Sequence, residues 1–183
     1  MKKLIIIIAA ILVIAGGLVS SYNGLVSIHE QVNSSWAQVD TQLQRRADLI
    51  PNLVNTVKGY ASHEQEAVKA VADARSKLLN ASTPTDKISA NGELSNALGR
   101  LLMVAENYPD LKASQNFLAL QDELAGTENR ISVARRDYNN QVQKYNAKIH
   151  SFPVSLYAGA FGFTDAPYFK ADEGAKAAPK VQF

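Results

Sequence analysis

The sequence has no cysteine among its 183 residues. This absence excludes disulfides, thiolate nucleophiles, cysteine-linked lipid anchors and cysteine metal sites. Basic runs are also missing, since no lysine or arginine cluster exceeds two residues and the net charge is only +2. Nucleic-acid binding is therefore unsupported. The sequence also lacks a nucleophile elbow and a phosphate-cradling glycine loop. It predicts neither an enzyme nor a cofactor, and a hydrolase with an unrecognised site is left as a third possibility.

Charge is absent between Lys3 and Glu30, and an uninterrupted apolar run extends from Leu4 to Val19. With the uncharged residues that follow, this run is long enough to span a membrane. Lysines 2 and 3 favour a cytoplasmic N-terminus. We predict an uncleaved signal-anchor in the inner membrane that contacts lipid through residues 4–28, with the C-terminal domain outside the cytoplasm. The alternative is a cleavable signal peptide. Val19-Ser20-Ser21 would be a poor cleavage site for it, which favours retention of the segment.

Apolar residues recur every seven positions in two long stretches, which is typical of coiled-coil-like helices. The first stretch, Trp36 to Leu79, carries two tracks: Trp36, Leu43, Ile50, Val57, Val71 and Leu78, and beside them Val54, Ala61 and Val68. The second, from about Ser114 to Ser151, carries Phe117, Leu124, Ile131, Tyr138, Tyr145 and Phe152. Between them, turn signals at 80–86 and 107–110 bound a shorter helix, with Thr83 or Thr85 as its cap. The predicted fold is all-α: an elongated antiparallel helical bundle after one transmembrane helix.

The seven-residue phase continues across Pro51, which predicts a kinked continuous helix instead of a hairpin at Asp48 to Asn52. Because no linker follows the apolar run, we expect one helix from Leu4 to about Asn80, exceeding roughly 100 Å. Polar side chains crowd the proline, and Arg45 and Asp48 are spaced to form a pair. We interpret them as groups that satisfy carbonyls freed by the proline and fix helix register. A partner-binding notch is the alternative.

The helical period ends at Phe152-Pro153, where the chain becomes rich in glycine, proline and aromatic residues. We predict that this segment packs on the bundle, and docking of another subunit is the alternative. The predicted domains are a transmembrane anchor over 1–21, a helical bundle over 22–153 and the C-terminal segment over 154–183.

One motif resembles the beginning of a zinc-protease helix, His63-Glu64-Gln65-Glu66-Ala67. Ala67 replaces the second histidine that would share the helix face. No metal site is predicted, although a weak one formed by His63 with Glu64 or Glu66 stays open.

Three blocks carry a resemblance to a known family: Trp36 to Glu64, Asn107 to Leu124, and the close with Gly162-Phe163 and Pro167-Tyr168-Phe169. On these the chain resembles the LemA family, over about Tyr22 to Phe183. The resemblance implies a bacterial membrane-anchored protein with an elongated helical domain and no established reaction. Some members are associated with membrane zinc metalloproteases, which suggests an adaptor role by analogy only.

The function predicted is a membrane-anchored, non-enzymatic scaffold or adaptor of the cell envelope, self-assembling as a homo-oligomer. The alternative is a lipid-facing, membrane-remodelling or membrane-associating module, with Trp36, Tyr157 or Phe163 exposed at the interface. Eleven residues are candidates for a partner-binding or structural role: Trp36, Asp40, Arg45, Arg46, Asp48, Pro51, Asn52, Tyr60, Phe163, Tyr168 and Phe169.

Overall fold

The computed structural model describes residues 2–61 and 63–170. Within these ranges the chain has five α-helices, two 3₁₀ turns and no strand, which confirms the predicted all-α helical bundle. The helices are α1 (Lys2–Tyr60), α2 (Gln65–Asn80), α3 (Pro84–Ala105), α4 (Pro109–Lys112) and α5 (Gln115–His150), and the 3₁₀ turns are Val154–Leu156 and Gly159–Phe161.

The N-terminal part of α1 is long and apolar enough to cross a membrane. It contains an 18-residue window of mean hydropathy 2.8, none of which is buried inside the structure. Such exposure is costly in water and suits a lipid environment. This helix indicates a single-pass membrane anchor at the N-terminal end of the chain.

Pro51 lies inside α1, so the helix continues through the proline as predicted. The predicted extension of this helix to Asn80 is wrong, because α1 ends at Tyr60 and α2 begins at Gln65. Two residues weaken the helix there: Gly59 costs about 1 kcal/mol relative to alanine, and Glu64 occupies a position of the heptad track that should be apolar. The seven-residue apolar spacing continues across the interruption between α1 and α2, because Val57 before it and Val71 after it are both buried.

The described chain divides into two compact units. The larger unit contains residues 38–61 and 63–136 together with Phe169 and Lys170, and we call it the four-helix unit after its four long helices, α1, α2, α3 and α5. Here α3 runs parallel to α1, because Lys87 pairs with Asp40 and Asn91 meets Arg46. Its core is mostly aliphatic, with Phe117 and Phe169 as buried aromatic rings, and includes Val39, Leu43, Ile50, Leu53, Val57, Val71, Leu78, Leu94, Leu98, Leu101, Leu111 and Ile131.

Thr83 caps α3, as the sequence predicts. Its Oγ1 accepts a hydrogen bond of 3.1 Å from the Asp86 amide, and Pro84 occupies the first turn. A side-chain cap of this kind satisfies one of the free amides at a helix start. The cap fixes where α3 begins after the short connection from α2.

The smaller unit, which we call the helix-pair unit, contains residues 2–37 and 137–168. Its two helices are antiparallel, since His29 packs on Tyr145 and Trp36 on Tyr138. The ring centroids of these pairs lie 5.2 and 5.3 Å apart, within the range that aromatic pairs prefer. The 3₁₀ turns after α5 fold back on this pair, as the hydrogen bond between Tyr157 and Ser21 shows.

The last residue of the predicted heptad track is misplaced. Phe152 is 81% exposed, although the buried Tyr138 and Tyr145 precede it at the same spacing. The helix ends at His150, so the helical phase no longer directs the phenylalanine toward the partner helix. Heptad spacing has meaning only while the helix continues.

Candidate functional site

The sequence candidates around Pro51 lie in the four-helix unit, and the proline leaves one backbone carbonyl of α1 without its helical donor. Proline has no amide hydrogen, so it cannot donate to the carbonyl of Ala47, four residues earlier. Arg75 Nε of α2 donates a hydrogen bond of 2.8 Å to that carbonyl oxygen. The guanidinium thus replaces the missing backbone donor. The sequence predicted that polar side chains would satisfy a carbonyl freed by Pro51. It did not identify Arg75 as the donor, because Arg75 lies outside the polar residues near Pro51 that were considered.

Arg46 is the buried centre of a second set of polar contacts. It is only 6% exposed, and its Nη1 donates to Asn91 Oδ1 and Ser95 Oγ of α3, both at 3.0 Å. Glu128 Oε2 of α5 lies 2.9 Å from the same nitrogen, close enough for an ion pair but outside hydrogen-bond geometry. A buried arginine is tolerated when its charge is paired with a carboxylate and neighbouring polar groups accept its hydrogen bonds. These contacts tie α1 to α3 and α5 at one level of the unit.

The predicted pair between Arg45 and Asp48 does not form. Arg45 Nε instead donates to Glu123 Oε1 of α5 at 3.1 Å, and Asp48 accepts from Gln44 at 2.9 Å. The Arg45 guanidinium holds the pKa of the Glu123 carboxyl below its usual range. Both partners are about half exposed, so this ion pair contributes little to stability. Arg45 pairs with Glu123 because α5 lies beside α1 in the fold. One sequence cannot show which helices are neighbours, so this pairing was not predicted.

Three further candidates of α1 have distinct positions. Asp40 forms an ion pair with Lys87 of α3. Asn52 is exposed, and its carbonyl oxygen accepts a hydrogen bond of 2.9 Å from the Thr56 hydroxyl. Tyr60, the last residue of α1, is 48% exposed. Asp40 therefore joins the contacts between helices, and Asn52 and Tyr60 lie on the surface.

The aromatic candidates divide between the two units. In the helix-pair unit, Trp36 and Phe163 are both half-buried, and Tyr168 is 40% exposed. In the four-helix unit, Phe169 is buried and the Arg135 guanidinium lies 4.6 Å above its ring, a cation–π contact. The membrane-associating alternative would expose Trp36, Tyr157 or Phe163 at the interface. All three are half-buried, and each packs against another aromatic ring.

Tyr138 is a buried titratable group of the helix-pair unit. It is 1% exposed, and its hydroxyl donates to the carbonyl oxygen of Pro167 at 2.8 Å. Burial raises the pKa of Tyr138 to about 12. This tyrosine therefore stays neutral and fixes the chain after the 3₁₀ turns against α5.

The histidine motif shows no metal geometry. His63 is exposed, and Glu64 accepts a hydrogen bond of 2.9 Å from the Tyr108 hydroxyl. That hydrogen bond raises the pKa of Tyr108. Within residues 2–61 and 63–170 no group of three or more His, Asp or Glu side chains could hold a metal ion.

Sequence reasoning missed an exposed apolar surface in the helix-pair unit. Phe152, Leu156 and Phe161 are 81%, 74% and 62% exposed. Phe161 also lines an apolar groove of about 330 Å³ together with Leu18, Val19, Tyr22 and Tyr157. The signal in the sequence was present, since residues 151–164 contain no charged side chain.

Comparison with known proteins gives a consistent result. The sequence model of the LemA family matches residues 35–183. The chain is 26% identical to the protein LemA of Metamycoplasma hominis over 152 residues, which covers 82% of this chain and 69% of that protein. It is 25% identical to magnetosome protein MamQ 2 of Paramagnetospirillum magneticum over 193 residues, covering 91% and 71% of the two chains. Magnetosome protein MamQ of Magnetospirillum gryphiswaldense is also 25% identical, over 178 residues covering 83% and 65%.

The family match includes both the Pro51 region and the aromatic C-terminal segment, which together contain most of the candidate residues. It covers more than half of the sequence, and the described residues form the helical bundle that the resemblance implies. The chain belongs to the LemA family.

Proposed function

We propose that the chain is a membrane-anchored, non-enzymatic scaffold or adaptor that presents its helices to other proteins of the cell envelope and to copies of itself. One observation carries this proposal: α1 begins in the apolar segment and continues without a break to Tyr60, inside the four-helix unit. One continuous helix therefore carries both the membrane segment and residues of the bundle, which supports a protein that is anchored in a membrane while its other helices bind partners.

The polar groups support this role, because they connect helices. Arg46 links α1 to α3 and α5, Arg75 supports α1 at Pro51, and Lys77 pairs with Glu93 across α2 and α3. A buried, matched network gives a bundle one defined packing. A fixed surface of this kind suits recognition of a partner. The names of the similar proteins, LemA and MamQ, are not enzyme names.

In the proposed arrangement the chain crosses the inner membrane once, with its N-terminus inside and the C-terminal domain outside the cytoplasm. Lysines 2 and 3 support this orientation through the positive-inside tendency. The proposed partners are a second copy of the chain and, by family analogy only, a membrane zinc metalloprotease.

Crosslinking in intact membranes tests the proposal. Three apolar side chains on helix surfaces of the four-helix unit are suitable positions for a photo-crosslinking amino acid: Met103, Leu118 and Val133, which are 67%, 46% and 49% exposed. Apolar side chains in the cores of interfaces carry much of the binding. We expect discrete crosslinked bands from at least one position and none from a matched probe at the exposed Lys69. A ladder of unrelated products, or none from every position, would count against a scaffold.

A further inference from the structure

Two charge-free stretches of the sequence meet in the helix-pair unit. One lies in α1, which has no charged residue between Lys3 and Glu30, and the other is the segment 151–164. Tyr157 Oη donates a hydrogen bond of 2.8 Å to Ser21 Oγ at the end of the apolar run. The rings of Tyr22 and Phe161 pack edge to face with centroids 5.3 Å apart. The C-terminal segment is thus held beside the end of the membrane segment.

The segment 151–164 has two different faces. Val154 and Ala158 are buried, at 1% and 4% exposure, and attach it to the helix pair. Phe152, Leu156 and Phe161 point outward, at 81%, 74% and 62% exposure. An exposed group of large apolar side chains on an otherwise ordered segment marks a binding surface. We call these three residues the apolar collar.

The groove beside the collar connects it with the membrane segment. Its lining includes Leu18 and Val19 of the apolar run, together with Tyr22, Tyr157 and Phe161. Tyrosine is enriched where a protein passes from hydrocarbon to water, because its ring is apolar and its hydroxyl polar. The surface formed by the collar and the groove is therefore continuous with the surface that faces lipid.

Polar and charged groups mark the limit of this surface. At the end of α5, His150 Nε2 lies 2.9 Å from the Asp165 carboxylate, and both side chains are about two-thirds exposed. On α1 the first charge is Glu30, which is exposed. Charged side chains stay in water, whereas the uncharged residues between these limits can enter the interface without that penalty.

We propose that the apolar collar inserts into the membrane interface, with lipid acyl chains in the groove, as a second membrane contact beside the transmembrane part of α1. The bilayer is the occupant that the structure favours, because the surface is uncharged, aromatic and continuous with Leu18 and Val19. The collar then sets the depth and rotation of the helix pair at the membrane. This inference rests on the proposed anchoring.

Spin labelling of the full-length chain in phosphatidylcholine–phosphatidylglycerol vesicles tests this contact, since the absence of cysteine makes every introduced thiol unique. Labels are attached to Leu156→Cys and Phe161→Cys in the collar, and their collision rates with oxygen and with a water-soluble nickel chelate are compared. Lys144→Cys on the exposed side of α5 is the aqueous control, and Leu12→Cys in the apolar run is the lipid control. All four side chains are exposed. Phe161→Cys also removes the ring contacts with Tyr22 and Tyr157, so Leu156→Cys is the milder collar probe.

We expect both collar labels to collide more with oxygen than with nickel, as Leu12→Cys does, whereas Lys144→Cys shows the reverse. Collar labels that match the Lys144 control would overturn the collar while leaving the anchor in place. Collar labels shielded from both reagents would also overturn it, since that result indicates a protein partner. An aqueous signal from Leu12→Cys would instead refute the anchoring on which both proposals depend.

Discussion

The hydrogen bond from Arg75 to Ala47 predicts a dependence between two distant positions of the sequence. Pro51 removes the backbone donor to the Ala47 carbonyl, and Arg75 Nε supplies one at 2.8 Å. Ala47 is fully buried, so its carbonyl oxygen has no alternative partner in bulk water. The contribution of Arg75 to the free energy of unfolding should therefore depend on whether residue 51 is proline.

The size of this effect follows from the contact. A hydrogen bond that involves a charged group contributes about 1.5–3 kcal/mol, and Arg75 is half-buried, which favours the lower end. We expect Arg75→Met to lower the free energy of unfolding by about 1.5 kcal/mol in the native background. In a Pro51→Ala background the new amide at position 51 occupies the carbonyl, so the same change should cost less than about 0.5 kcal/mol. Pro51→Ala alone should leave stability unchanged or raise it by about 1 kcal/mol.

The assay is a double-mutant cycle on the full-length chain in detergent, with unfolding followed by far-UV circular dichroism. A loss of 1 kcal/mol lowers the melting temperature by about 2–4 °C for a chain of this size. The control is Lys77→Met, a substitution on the same helix as Arg75 that removes the exposed ion pair between Lys77 and Glu93 of α3. It should lower the free energy of unfolding equally in both backgrounds. An equal cost of Arg75→Met with and without Pro51 would refute the proposed compensation.

Three other predictions follow from the structure. Arg46→Ala should lower the free energy of unfolding by about 3 kcal/mol because a buried network loses its centre. Arg45→Ala, at an exposed ion pair, should lower it far less, and equal losses in urea unfolding would show that burial of Arg46 does not matter. The neutral Tyr138 is favoured in the folded state, so the stability it contributes is complete below its unfolded pKa of about 10 and is lost as pH rises through about 12. The alkaline loss should therefore be smaller in Tyr138→Phe, and parallel pH profiles would refute this. Protease added to intact spheroplasts should digest the four-helix unit, and digestion only after lysis would reverse the proposed topology.

The sequence predicted those parts of the fold that depend on local pattern. Seven-residue spacing identified α5 to within one residue at each end, and the Thr83-Pro84 signal identified the start of α3. Continuity of α1 through Pro51 was also predicted, because the apolar phase did not change there. These features are encoded by neighbouring residues, so one sequence is sufficient to find them.

The remaining features depend on contacts between distant residues. Nothing near Pro51 in the sequence indicates that Arg75 lies against Ala47, since their contact requires the reversal between α1 and α2. That reversal was missed because buried residues on the two antiparallel helices preserve the seven-residue phase. The apolar collar was missed for the opposite reason: Phe152 continues the heptad track, but the helix that gives the track its meaning has ended.

The central claim is that the anchored bundle works by holding other proteins. Its most direct test is the mass of the complex extracted from native membranes into polymer nanodiscs, without detergent, and measured on single particles. If the chain is a scaffold, the particles should form a discrete species that contains two or more chains, or one chain with a defined partner, and that persists on dilution. A population composed only of single chains in lipid would contradict it.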